Sequence, residues 1–324
     1  KMRAVLRYRR IPHRWVLRGS PAAAALPPTP VPIIPVLAFP EPDGSYERVM
    51  TDSSPQIMVL EELVEGRSVV PTDPVVEFLD FLVEEYADEW VTKMMYHYRW
   101  YHPEGIDKAG KLLPIQASGV VSDEDWDHQR TWITRRQVER RALVGSTEEN
   151  RLVIEESYVH LLHRLEDLFS RREFVMGARP GRADFGLFGQ LTQLCWWDPE
   201  AMEVAIREAP RVVAWVARTE DLSWLEPADG DWIDHDEAVV SLRPLLEEIG
   251  RTYAPFMVAN HHAFRVDDDT VECEIGGRPY TQAPFGYQRK CLDWLRDHHA
   301  AQPDAVRAEI DRALAGTGCE VLFA

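Results

Sequence analysis

Apolar residues first recur at helical spacing in Met2, Val5, Leu6 and Ile11, with Arg3, Arg7 and Arg10 between them. That pattern predicts an amphipathic helix, which Pro12 ends because it breaks the hydrogen-bond ladder. His13 to Arg18 alternates loosely and predicts a strand. Residues 19–32 are rich in Pro and Ala and read as a loop. Two apolar runs follow, Pro32 to Phe39 and Tyr46 to Met50. Between them Glu41-Pro42-Asp43-Gly44-Ser45 supplies turn chemistry, so the pair predicts a β-hairpin. Ser53 or Ser54 then caps a helix reaching Glu65, with Pro55 in its first turn.

After Gly66 the pattern lengthens. Asp73 followed by Pro74 is an N-cap with proline at the first helical position. Val75, Phe78, Leu79, Leu82, Tyr86, Trp90, Val91, Met94 and Tyr98 follow at steps of three and four, predicting one long helix to about His102. Further helical stretches are expected near 123–142, 147–170, 182–195, 199–218, 236–254, 284–299 and 303–315. Only Thr270 to Tyr280, centred on Gly276-Gly277, reads as a second hairpin. The expected organisation is a mixed unit over 1–66, an all-helical unit over 73–230 and an extension over 231–324.

Composition sharpens this picture in a few places. The chain has 324 residues, enough for two cores, with 45% apolar and 28% charged residues. No run of 18 apolar residues occurs, so no membrane span or membrane partner is expected. A net charge of −18 repels nucleic acid and places that class of partner low. The four cysteines, Cys195, Cys273, Cys291 and Cys319, form no C-x-x-C pair, and no His/Cys set has zinc spacing; no metal is expected. Scattered cysteines fit a reducing cytosol, so a cytoplasmic location is expected. Eleven tryptophans imply large buried aromatic surfaces or a roomy apolar pocket. Residues 1–40 hold seven Lys or Arg and no acid. An organelle-targeting segment is the rival reading of that stretch to an amphipathic helix followed by a strand.

Two short motifs carry candidate chemistry. In Ile34-Pro35-Val36-Leu37, a cis bond before Pro35 would leave the Ile34 N–H and C=O free to pair with an extended peptide. In Asp52-Ser53-Ser54, a helix N-terminus offers unpaired N–H groups and a positive dipole end to a carboxylate, while Asp52 suits an ammonium group. Taken singly, the first is also an ordinary edge position and the second an ordinary cap.

In this order, and followed by a helical body, the motifs resemble the cytosolic glutathione transferase superfamily, specifically a bacterial sub-group with an extended C-terminus. The resemblance implies an α+β chain. Its parts would be a thioredoxin-like N-terminal domain, incomplete because its first strand precedes Lys1, an all-α C-terminal domain and an extension packed on it. It implies that Ile34 and Pro35 bind the cysteinyl unit of glutathione, and that Ser53 and Asp52 hold its γ-glutamyl carboxylate and ammonium. The spacing between the two motifs is longer than the family's because Phe39 to Met50 extends the hairpin. The family's buried capping box corresponds to Arg179-Pro180-Gly181-Arg182-Ala183-Asp184. Gly181 stands where Ser or Thr is usual, and Asp184 reaches back to the Gly181 N–H in a structural role.

Residues 88–100 resemble the same sub-group. In the family their helix lines the cleft between domains, which makes Tyr96, Arg99 and Trp100 candidates for an acceptor pocket, Arg99 steadying a carboxylate. The alternative is a helix that packs its aromatics inward and pairs Arg99 with an acid. Trp196 and Trp197 read as core. The resemblance implies an enzyme that conjugates the glutathione thiolate to a small apolar electrophile, as a homodimer. The alternatives are a non-catalytic binding or assembly module and a glutathione-dependent reductase. Its sulfur-activating residue is expected upstream of Lys1, so the catalytic residue is unknown. His261-His262 near Asp267-Asp268-Asp269 read as a solvated loop, His298-His299 as a helix C-terminus. No G-x-S-x-G, Walker or G-x-G-x-x-G pattern is present.

Overall fold

The computed structural model describes residues 1–29, 31, 33–116 and 118–324. Pro30, Pro32 and Ala117 lie outside the described residues, and with them the expected beginning of the first apolar run at Pro32. The chain is mixed α and β, mostly helical, with two separate two-stranded sheets among the described residues.

The amphipathic start is helix α1 (Met2–Tyr8), its apolar face buried through Val5 and Tyr8. The expected strand at His13 to Arg18 does not form. Those residues are exposed and have no pairing partner, so the loose alternation had no core face to fill. The Pro/Ala loop contains a single turn, α2 (Pro21–Ala24), capped by the Ser20 hydroxyl. The first hairpin is β1 (Val36–Pro40) with β2 (Tyr46–Thr51), and α3 (Ser53–Leu63) follows. The antiparallel register sets Val36 opposite Thr51, so Pro35 lies beside the start of α3.

The long helix is continuous but not uniform. Helix α4 (Pro74–Tyr86) passes through a π turn at Ala87–Val91 into α5 (Thr92–Trp100). The Asp73 carboxylate caps α4 by accepting from the Val75 and Val76 N–H groups. A helix the sequence pattern did not predict, α6 (Pro103–Leu112), follows at once. Its apolar residues are few, since Gly105, Ala109 and Gly110 form its buried side. Then come α7 (Asp123–Glu139), α8 (Arg151–Phe169) and α9 (Arg182–Leu194). The stretch expected at 199–218 is two helices, α10 (Pro199–Glu208) and α11 (Pro210–Thr219), because Pro210 cannot continue α10. Likewise 236–254 is α12 (His235–Ser241) and α13 (Arg243–Val266), divided before Pro244. The second hairpin is β3 (Val271–Ile275) with β4 (Arg278–Gln282), then α14 (Gly286–Ala300) and α15 (Asp304–Leu314). No described helix is long and apolar enough to cross a membrane.

The centre of the molecule is the packing of α9 on α4 and its π turn. Phe78, Leu79, Leu82, Val83, Phe185, Leu187 and Leu191 are all fully buried there. At roughly 1.5–3 kcal/mol per buried side chain, this seam is a main source of stability. Arg182 and Asp80 are paired inside it. Arg182 donates through Nε to Asp80 at 3.1 Å, and Asp80 also accepts from the Ala183 N–H at 3.0 Å. The departure from the usual cap at Gly181 has its reason here. A Cβ on Gly181 would stand 2.2 Å from the Asp80 carboxylate, so the close approach of α4 requires glycine. The Asp184 carboxylate accepts from the Gly181 N–H at 3.0 Å and from the Val175 N–H at 2.8 Å.

Candidate functional site

The groove is built where β1 enters. The Ile34–Pro35 bond is cis. Ile34 is 72% exposed, and its N–H and C=O have no partner among the described residues. Gln56, on the first turns of α3 and fully buried, ties this segment to the helix start. Its side-chain amide donates to the Pro35 carbonyl at 3.0 Å and to the Met50 carbonyl at 2.8 Å. The four residues Ile34, Pro35, Asp52 and Ser53 are therefore brought together at one edge.

Asp52 precedes α3 with φ at 77°, and its side chain does not bond back to the helix. The Ser53 and Ser54 N–H groups have no partner among the described residues, as the first turn of a helix leaves them. Beneath this turn runs the acidic face of α4 and the π turn. The Ser54 hydroxyl donates to Glu84 at 2.9 Å, and Ser53 Oγ lies 3.5 Å from Asp88. Lys1 Nζ stands 2.7 Å from Glu84 and also bonds Asp88. Burial works against the Glu84 charge, yet Lys1 and Arg182 hold its pKa below the ordinary value. The groove therefore has a charged floor in which cations offset the acids.

Its wall comes from the C-terminal extension. Tyr287 on α14 donates its hydroxyl to the Asp52 carboxylate. Burial, followed by that bond, raises the phenol's pKa. Behind Tyr287 the wall is polar and tightly enclosed. Burial and then Glu89 raise the Cys291 thiol. Glu89 itself is pushed up to about 7, by burial and the nearby Asp88. Among the described residues, Glu85 Oε2, Tyr253 Oη and Gln288 Oε1 are buried without hydrogen-bond partners. Burial also pushes Cys195 and Cys319 up to about 12 and Cys273 up to about 11. All four cysteines are thiols at neutral pH, so none has the lowered pKa of a reactive nucleophile.

The three residues expected to border an acceptor pocket sit in packed surroundings instead. Arg99 is held by Asp198 through Nε and Nη2, each at 3.0 Å, and by Gln193 at 2.9 Å, with its guanidinium 4.3 Å over the Trp197 ring. Asp198 is fully buried, so this pair is the inward-packing alternative weighed above. The Tyr96 hydroxyl is occupied by Gln137 on α7 at 3.0 Å, and Trp100 is buried. Surface depressions of about 410 Å³ lie against α7 at Arg130, Thr134 and Val138, and around Phe169 to Ala178; neither borders these three residues. Trp196, expected in the core, is half exposed at the end of α9. His261 and His262 lie in α13 rather than a loop, and His261 pairs with Asp293 at 3.0 Å. His298 and His299 do end a helix, paired with Glu77 and Asp311 at 2.8 Å.

Sequence reasoning missed the Asp52–Tyr287 contact, whose partners are 235 residues apart. It also missed a grouping of His97, His102 and Glu155, whose ligand atoms lie within 4.8 Å of one another. The His-x4-His spacing across a helix end was its one signal in the sequence. Compared with family models, curated proteins and solved structures, the chain matches none.

Proposed function

We propose that this chain is a glutathione transferase, binding glutathione along the groove between Ile34 and the start of α3 and conjugating its thiolate to a small apolar electrophile. The observation that carries the reading is the exposed Ile34 backbone, unpartnered among the described residues and tied through Gln56 to the Asp52-Ser53 turn. An extended peptide unit pairs with such a backbone as an added strand does. The free N–H groups of Ser53 and Ser54 suit the γ-glutamyl carboxylate, and Asp52 its ammonium group. The order helix, short helix, hairpin, helix from α1 to α3 supports the thioredoxin-like domain that the same reading adopts. The sulfur-activating group is not among the residues identified. Since all four thiols are raised, none of these cysteines supplies the thiolate that a reductase mechanism needs.

Titrating the full chain with glutathione by calorimetry tests the reading. One saturable site per chain is expected, weakened about tenfold or more in Asp52→Ala, with conjugation of a chlorodinitrobenzene followed in parallel. Absence of binding at millimolar glutathione would sink it. A second reading, a non-catalytic binding module, is favoured by the Tyr287 hydroxyl already seated on Asp52. It predicts binding without turnover.

A further inference from the structure

We infer that His97, His102 and Glu155 form a site for one divalent transition-metal cation of the zinc type. The inference is independent of the glutathione reading. His97 comes from α5, His102 from the residue capping α6, and Glu155 from α8, so three helices converge on one point. His97 Nε2 lies 3.5 Å and His102 Nε2 3.4 Å from the same oxygen, Glu155 Oε1. Those separations are too long for good N–H···O hydrogen bonds, which cluster at about 2.7–3.2 Å. They do match the edges of a coordination tetrahedron, since metal–ligand bonds of about 2.0–2.1 Å set ligand atoms roughly 3.3–3.4 Å apart.

The rest of the surroundings supports ligation. His102 Nε2 is buried with no hydrogen-bond partner among the described residues. His97 is fully buried, and its Nδ1 is 2.8 Å from the Ser146 hydroxyl, also buried. A proton on Nδ1, held by Ser146 Oγ, leaves the Nε2 lone pair pointing at the convergence point. That is the orienting bond metal-bound histidines make with their second nitrogen. Both rings are clamped by aromatic neighbours. His97 stacks on Tyr101 at 4.5 Å, and His102 stacks on Tyr98 at 5.2 Å. Arg151 takes the other carboxylate oxygen, Oε2, at 3.1 Å and fixes the group so that Oε1 faces inward.

Two imidazoles and one carboxylate are borderline ligands that suit zinc and its neighbours in the first row rather than magnesium or calcium. Three protein ligands leave a position for water, the pattern of a Lewis-acid centre rather than a closed structural one. Glu155 and His102 keep about a fifth to a quarter of their side-chain surface exposed, at 21% and 24%, which provides a way in.

The test uses the full chain, stripped with a chelator and titrated with zinc chloride by calorimetry. One zinc ion per chain is expected. His102→Ala and Glu155→Gln are each expected to weaken it by at least ~100-fold, beyond the 10–100-fold that loss of an orienting partner costs. Ser146→Ala should fall within that lower range. Cobalt substitution gives a second readout, a visible absorption band lost in both ligand variants. Should His102→Ala fail to fold by circular dichroism, Glu155→Gln carries the test. No saturable zinc site in the parent chain, or a zinc affinity that Glu155→Gln leaves unchanged, overturns the inference.

Discussion

The two halves of the long helix solve the same electrostatic problem with opposite signs. Over α4 and the π turn the helix carries acids, namely Glu77, Asp80, Glu84, Glu85, Asp88 and Glu89, and cations come from elsewhere, Lys1 and Arg182. Over α5 the helix carries Arg99, and its acid comes from elsewhere, Asp198. At the two ends this follows the helix dipole, with Glu77 in the first turn and Arg99 in the last. The π turn at Ala87–Val91 lies where the sign changes. A π turn inserts one residue and rotates the side chains that follow, so the face that meets the groove is not the face that meets α8. The lesson concerns partners: one helix serves two unrelated polar sites because each half takes its counter-charge from a different part of the chain.

Removing one counter-charge from each half separates the two arrangements. In the first half Arg182→Ala leaves Asp80, fully buried, without its cation. Removing one partner of a buried pair costs about 3–5 kcal/mol. The loss is read from the midpoint of a urea unfolding curve, and a change below 1 kcal/mol would mean that the network contributes little. In the second half Arg99→Ala strips the same kind of acid, Asp198, but Arg99 itself is partly exposed. A smaller loss, about 2–3 kcal/mol, is expected from the charged hydrogen bonds. If Arg99→Ala instead leaves stability intact and abolishes binding of an acceptor substrate, the arginine belongs to a site after all and the symmetry of the two halves fails.

Lys93, just after the π turn, adds a dependence on pH. Its amine is buried, donates to Gln282 at 2.7 Å and lies 4.1 Å over the Phe256 ring. It faces Glu89 on its own helix, and Cys273 and Tyr280 on the second hairpin. Burial lowers its pKa from 10.5 to about 7. Between those values the unfolded chain holds a proton that the native chain lacks, so stability rises with pH across that window. Below pH 7 both states are protonated, and the buried charge is felt in full. Glu89, pushed up to about 7, acts oppositely between pH 4.5 and 7, and the four raised thiols act oppositely as pH nears their ordinary value of 9, so the Lys93 share is read as the difference between the parent chain and Lys93→Met. At about 1.4 kcal/mol per pH unit, Lys93 alone contributes about 2 kcal/mol from pH 7.5 to 9. Lys93→Met is expected to flatten that rise in denaturant titrations at each pH, and an unchanged slope would remove Lys93 as its cause.

How much of this was legible depends on sequence distance. The helix boundaries followed local signals: Asp73-Pro74 began α4 as its cap chemistry requires, and the Gly276-Gly277 turn placed the second hairpin. Pro210 and Pro244 divided stretches that apolar spacing alone had run together. The Ile34-Pro35 and Asp52-Ser53 motifs met because a single hairpin joins them, and the antiparallel register leaves little freedom. Arg99 was ambiguous for the opposite reason. Its acid lies 99 residues away, and no periodicity in α5 announces which helix will supply it. His97 and Glu155 are 58 residues apart and share no spacing rule, so that site appears only once α5 and α8 are packed. Gly181 looked like a weak cap and is instead a contact forced by Asp80, a residue on another helix.

The smallest expected effect falls on Asp52, a groove acid that takes its partner from the C-terminal extension. Asp52 accepts from a phenol, not a cation, so its negative charge is hydrogen-bonded but not neutralised. An ammonium group arriving on a ligand competes with the Tyr287 hydroxyl for that carboxylate. Tyr287→Phe removes the competitor while keeping the ring against Trp294, whose centroid is 6.4 Å away. A hydrogen bond of this kind is worth about 1 kcal/mol net, so glutathione affinity is expected to rise roughly threefold to fivefold in calorimetry. S-hexylglutathione lacking the γ-glutamyl ammonium group should show no such gain. If both ligands gain equally, Tyr287 blocks the groove by bulk or by holding α14 closed, and Asp52 is not the group that reads the ammonium.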